Sequence, residues 1–339
     1  MKKTFVTIVK FAISGGILAY LLVQAQRHQS FDELRSQPKD WPLLGLAWAL
    51  AFTGVCLSFV RWYLLVRALG MRFRMQDAFR LGFLGYLFNF VSVGSVGGDL
   101  FKAVFLAREQ PGRRTEAVAT VIVDRVIGMF SLFLLASTGI LLTGAMGEGN
   151  SIQVQTIARA TLLATAIGSA VVALLLVPAA TGPKMLGLVG AVPKVGKVLS
   201  SLVSAARVYR DKLPVLLAGC AISLTTHALF TLAVYCIACG LPGAHPPLAT
   251  HFVIVPMGMA AGGLPLPLGA LGAMEYVLDY LYRKVSASNQ GLVVALGYRL
   301  VTVVIAMVGA GIYLASRREV QELMHEAELE QHRAEAEAT

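Results

Sequence analysis

The sequence predicts an all-α polytopic membrane protein with about six full transmembrane helices and two broken re-entrant helical hairpins related as an inverted repeat. Three observations predict it. The 339 residues are 56% hydrophobic and only 14% charged, with a mean hydropathy of +0.69, whereas soluble domains carry about 25% charged residues. Apolar windows long enough to cross a bilayer recur along the chain. Two of these windows are interrupted by glycine-rich stretches that carry a carboxylate, Phe88–Lys102 and Gly262–Glu275. Irregular backbone and ionisable groups persist at membrane depth only when protein or a watery cavity surrounds them, so both breaks are candidate functional sites.

The first span falls at 5–25, with Lys2 and Lys3 before it, and is read as a span rather than a cleaved signal because the topology needs a cytoplasmic N-terminus. The second, 41–60, opens at Trp41-Pro42 and closes at Arg61-Trp62-Tyr63. The following connection holds Arg61, Arg67, Arg72, Arg74 and Arg80, and the positive-inside rule makes it cytoplasmic. Residues 80–107 are apolar to Gly94, break, and resume before the basic group Arg108, Arg113 and Arg114. Two cytoplasmic flanks rule out a single crossing, so this segment is a hairpin that enters and leaves on the cytoplasmic side.

Residues 115–143 cross outward with Asp124-Arg125 inside the apolar run, and 155–177 cross back. The stretch 181–212 alternates apolar positions with Lys184, Lys194, Lys197, Arg207, Arg210 and Lys212, the pattern of a basic amphipathic segment on the cytoplasmic face. Residues 213–239 cross outward with His227 mid-span, read as a hydrogen-bonded packing residue. A second hairpin, 248–284, breaks at Gly262–Gly272, and the last span, 290–315, ends at Arg317-Arg318 on the cytoplasmic side. This hairpin therefore opens outward. The whole is one membrane domain, 1–318, with repeats at about 80–143 and 248–316, followed by an acidic cytoplasmic tail, 319–339. Both termini are expected in the cytoplasm and the protein in the plasma (inner) membrane.

The net charge is +10 although the tail carries seven Glu and one Arg. The excess is scattered over short loops and suits anionic lipid, not nucleic acid. Cys56, Cys220, Cys236 and Cys239 all lie in apolar segments. Cys236-x-x-Cys239 has no second pair to complete a zinc site, so these read as small membrane-helix residues. No metal or other cofactor is called for.

The two hairpins correspond. Each is followed by a span with an internal arginine, Arg125 after Asp99 and Arg299 after Glu275, at separations of 26 and 24 residues. The glycines correspond as well, Gly94-x-x-Gly97 with Gly269-x-x-Gly272. Helices that break near the midplane point free N–H groups and partial positive charge at an anionic group. The candidate substrate-binding residues are Asn89, Ser95, Gly97, Gly98, Asp99, Lys102, Asp124, Arg125, Gly269, Gly272, Glu275 and Arg299. A purely structural reading stands beside this one: Glu275 caps the helix after Gly272, Asp99 answers a helix dipole, and the arginines only neutralise them.

The pieces Val93–Lys102, Val121–Gly128 and Leu264–Glu275, in this order and spacing, resemble the transmembrane region of lysylphosphatidylglycerol synthetases and the stand-alone flippase-like proteins built on it. The resemblance runs from about Lys10 to Arg317. Val93 stands where the family usually has proline, Lys102 where arginine is common, and Ala270 and Met274 where glycine and arginine are usual. The last departure weakens any phosphate contact through an arginine of the second turn.

The resemblance implies movement or presentation of a lipid across the bilayer, not aminoacyl transfer, which such synthetases perform in a soluble C-terminal domain. The leading expectation is a flippase or scramblase-like transporter of a lipid with a charged, phosphate-bearing or isoprenoid-linked head group. One alternative is a glycosyltransferase using a lipid-linked donor, for which Asp32 and Glu33 are the candidate carboxylates of the first outer loop. The other is a non-catalytic scaffold for membrane biosynthetic enzymes, docked through 181–212.

The hairpin topology predicts that cysteines placed at Arg74 and Arg108 are labelled by an impermeant thiol reagent from the same side of the membrane. Labelling from opposite sides would rule it out.

Overall fold

The computed structural model describes residues 36–91, 97–147, 152–177, 196–263, 272–286 and 288–315, with a few isolated positions between them. The span 5–25, the carboxylates Asp32 and Glu33, the turns 92–96 and 264–271 with Ser95 and Gly269, and the tail 319–339 lie outside the described residues. So does nearly all of 181–195.

Among the described residues there is no strand. The helices are α1 (Trp41–Ala68), α2 (Met75–Val91), α3 (Gly97–Glu109), α4 (Arg114–Thr143), α5 (Ile152–Leu176), α6 (Gly196–Tyr209), α7 (Leu213–Gly240), α8 (Leu248–Gly262), α9 (Ala273–Ser286) and α10 (Gly291–Ala315). One 3₁₀ turn, Arg210–Lys212, joins α6 to α7. Five of the helical runs are long and apolar enough to cross a membrane: α1, α4, α5, the run through α6 into α7, and α10. The protein is thus a polytopic helical membrane protein.

The helix ends follow from local chemistry. The Asp40 carboxylate accepts from the Leu43 N–H at 3.1 Å and caps α1, with Pro42 in the first turn where no donor is lost. Gly144 closes α4 in the left-handed conformation (φ 62°). Gly272, at φ 93°, turns the chain into α9.

One boundary differs from the sequence expectation. The second span was expected to end at residue 60, with Arg61 in a cytoplasmic loop, but α1 runs on to Ala68 and Arg61 is only 7% exposed. The helix continues because Trp62, Leu65 and Val66 are fully buried beyond it and the Arg61 charge is met inside the protein.

The packing of the first repeat is reproduced in the second. In the first, α2 lies on α3 and α3 on α4; in the second, α8 lies on α9 and α9 on α10. The leading arm of each hairpin also packs on the long helix of the other repeat, α8 on α4 and α2 on α10. Glycine sits at both crossings. A Cβ on Gly139 of α4 would stand 2.8 Å from the Phe252 carbonyl oxygen of α8, and one on Gly309 of α10 would overlap the Phe83 carbonyl of α2. Small residues let helices touch where burial in lipid gives no hydrophobic drive between them.

The other helices frame this core. The most extensive contact joins α1 to α7, where a Cβ on Gly54 would stand 2.6 Å from the Phe230 ring and one on Gly240 would stand 3.1 Å from Leu44. The α5 helix lies at the periphery, where the Ser137 and Thr165 hydroxyls meet at 2.7 Å, and it turns Leu163, Ile167 and Leu174 outward as lipid-facing residues would be. The amphipathic α6 is docked rather than loose: the Tyr209 hydroxyl donates to the Leu65 carbonyl at 2.8 Å, while Arg207 faces outward.

The α2–α3 contact depends on Gly98, where an added Cβ would overlap the Gly85 carbonyl. Gly98→Ala should lower stability by about 1–3 kcal/mol, as overpacking does. Gly168→Ala, whose nearest neighbour would be 3.9 Å away, should not. Thermal unfolding of the two variants in detergent checks this.

Candidate functional site

In the first repeat, Asn89 at the end of α2 accepts from the Gly98 N–H at 3.1 Å, satisfying one free donor at the start of α3 across the break. Asp99 follows in the first turn and accepts from Arg125 Nε on α4. Neighbouring residues on a helix point about 100° apart. Asp124 and Arg125 therefore face different partners. Asp124 Oδ1 accepts from Arg61 Nε at 2.7 Å, and Arg61 Nη1 donates to Ser223 Oγ at 2.6 Å. This second pair ties α1, α4 and α7 together.

In the second repeat, Glu275 is completely buried. One carboxylate oxygen accepts from the Gly272 N–H at 2.9 Å and the other from Arg299 Nε at 2.6 Å. The capping role and the pairing role belong to the same side chain. Arg299 also stands 5.9 Å from the Phe90 ring centroid on α2, which links the two repeats through a cation–π contact.

These groups converge on one cavity of about 400 Å³. Asn89, Asp99, Lys102, Asp124 and Arg125 line it from the first repeat, Met274 and Arg299 from the second. Glu275 stands behind Arg299, while Gly97, Gly98 and Gly272 shape the backbone and do not form the wall. Ser95 and Gly269 lie outside the described residues. The wall also holds Arg61, Tyr86, His227 and Tyr298, none of them in the predicted set. As expected, His227 is hydrogen-bonded, at 3.0 Å to the Gly128 carbonyl, but it also faces the cavity. A larger concavity of about 550 Å³ lies between the start of α1 and the end of α7, away from the paired charges.

The charges around the cavity do not cancel. Arg61, Arg125 and Arg299 each hold a carboxylate: Asp124, Asp99 and Glu275 respectively. Lys102 has no carboxylate partner among the described residues. Its ammonium rests 5.0 Å from the Trp62 ring centroid and 5.9 Å from that of Phe59. The surplus positive charge is therefore on Lys102, beside aromatic faces that hold a cation without neutralising it.

The fold and this cavity define a class, multi-pass helical membrane domains whose broken hairpins gather paired charges at an internal cavity. The chain belongs to the family described as the lysylphosphatidylglycerol synthase TM region, whose model matches residues 7–309. No curated protein and no solved structure matches it.

Arg61 escaped the sequence reading because it is 63 residues from Asp124 and sits where an interfacial anchor is usual. A signal was nevertheless present: Asp124 and Arg125 cannot serve one another from adjacent positions, so one carboxylate needed a further cation.

Breaking the buried pair should be costly. Glu275→Ala should destabilise the protein by about 3–5 kcal/mol, because the buried ion pair with Arg299 and the bond from the Gly272 N–H are both lost. The double variant Glu275→Ala/Arg299→Ala should cost clearly less than the two single changes added together. A denaturation cycle in detergent measures both.

Proposed function

We propose that this domain translocates a lipid with an anionic head group, phosphate-bearing or isoprenoid-linked, between the leaflets of the plasma membrane. The observation that carries the reading is the charge balance of the cavity: three ion pairs and one surplus cation, Lys102. An anion entering the cavity meets a positive charge that needs no partner displaced. Placing a phosphate at membrane depth without such compensation would cost many kcal/mol.

The two repeats, in opposite orientations, give each leaflet one hairpin leading to the same cavity. The head group sits among Asn89, Asp99, Lys102, Arg125 and Arg299, while its hydrocarbon chains stay in the bilayer. Asp99, Asp124 and Glu275 hold the arginines in place and keep the cavity from binding its anion irreversibly. A concentration gradient or downstream consumption of the lipid supplies the direction. The partners of the domain are the membrane lipids themselves.

Reconstituted protein should accelerate leaflet exchange of a fluorescent anionic phospholipid, read by dithionite quenching. Lys102→Ala should slow exchange by about 10- to 100-fold, the worth of one charge-assisted contact, and Lys102→Arg should largely preserve it. No exchange of any lipid class, with folded protein present, would contradict the proposal.

A further inference from the structure

We infer that Arg61 is the seat of a phosphate-type oxyanion in this cavity, and that Gly128 keeps the seat open. The inference deepens the reading above and rests on it for the source of the anion. Arg61 has an 8% exposed side chain and three nitrogens. Nε is used by Asp124 and Nη1 by Ser223, which fixes the guanidinium rigidly between α1, α4 and α7. Nη2 has no hydrogen-bond partner among the described residues, and the residue lines the cavity. A planar guanidinium held by two of its nitrogens presents the third as an oriented donor, the geometry that suits a phosphate oxygen.

Three neighbours support the assignment. A Cβ on Gly128 would stand 3.4 Å from Nη1 and 3.5 Å from Nη2, so glycine keeps open the side of the guanidinium that carries Nη2. His227 Nε2 donates to the Gly128 carbonyl, which fixes the tautomer and makes Nδ1 an acceptor. That Nδ1 is buried and has no partner, so the same wall offers an acceptor for a P–OH or a neighbouring hydroxyl. Finally, the Lys102 ammonium rests on Phe59 and Trp62, which flank Arg61 within one turn of α1. Lys102 and Arg61 line the same cavity, so the ammonium and the open side of the guanidinium both serve one anion bound there.

The test uses the full-length protein in nanodiscs of zwitterionic lipid, titrated with inorganic phosphate and, separately, with dihexanoyl phosphatidic acid, and read by calorimetry. Gly128→Ala adds a methyl group at van der Waals distance, and alanine is favoured over glycine within a helix, so its thermal midpoint should equal or exceed the wild-type value. Its affinity for the phosphate probe should fall about tenfold or more, consistent with a lost charge-assisted hydrogen bond. Arg61→Lys, which keeps the charge and loses the fork, should do the same. Binding of the lipid alone assigns the seat to a head group, and binding of both probes assigns it to the phosphate group itself. If neither probe binds, or if both variants bind as the wild type does, the seat is refuted. Leaflet exchange is measured on the same proteins. Exchange that persists in the variants refutes the seat and leaves translocation standing, whereas phosphate binding that depends on Gly128 in a protein without exchange refutes translocation and leaves the seat.

Discussion

A cation buried at membrane depth must be met by a carboxylate, and that requirement organises this molecule. Three arginines reach the centre of the bundle from α1, α4 and α10, and each meets an acid from another element: Asp124, Asp99 and Glu275. Two of these acids stand in the first turn of the helix that follows a chain break, where free backbone N–H groups also favour negative charge. The break, the helix that restarts after it and the arginine of the next span therefore form one unit. Removing any one of them leaves an expensive charge or an unsatisfied donor.

The unit occurs twice, and its contacts show how two copies make one site. Each leading arm leans on the long helix of the other copy, with glycine at the crossing, Gly139 against Phe252 and Gly309 against Phe83. This exchange brings both charged turns to a common cavity rather than to separate surfaces. The α1–α7 pair closes the remaining side and contributes Arg61, Ser223 and His227. Charge pairing sets the interior while small-residue packing sets the distance between helices.

Much of this was legible in the sequence. The hairpin arms end where glycine and proline interrupt apolar runs, and the restarts at Gly97 and Ala273 follow from the first-turn acids Asp99 and Glu275. The pairings of Asp99 with Arg125 and Glu275 with Arg299 could be read because the acid and the base lie within one repeat, at nearly the same spacing. Arg61 could not be found that way. Its partner belongs to another element, its position imitates an interfacial anchor, and no local pattern distinguishes a buried arginine from an exposed one. The surplus charge on Lys102 was hidden for a related reason, since it appears only once every other cation around the cavity has been matched to its acid. Asp124 was named as a candidate binding residue without a partner of its own, and the structure supplies that partner in Arg61.

The cavity is thus nearly neutral and deliberately incomplete, a balance suited to holding an anion briefly instead of storing it. Neutral walls would reject a phosphate and unpaired arginines would trap it. The most direct measurement is a cryo-electron microscopy map of the protein in nanodiscs that contain an anionic phospholipid. Head-group density is expected inside the cavity, in contact with Lys102 and Arg61, with the acyl chains extending into the bilayer. A map in which the cavity holds only water and every lipid head group lies at the membrane surface would contradict it.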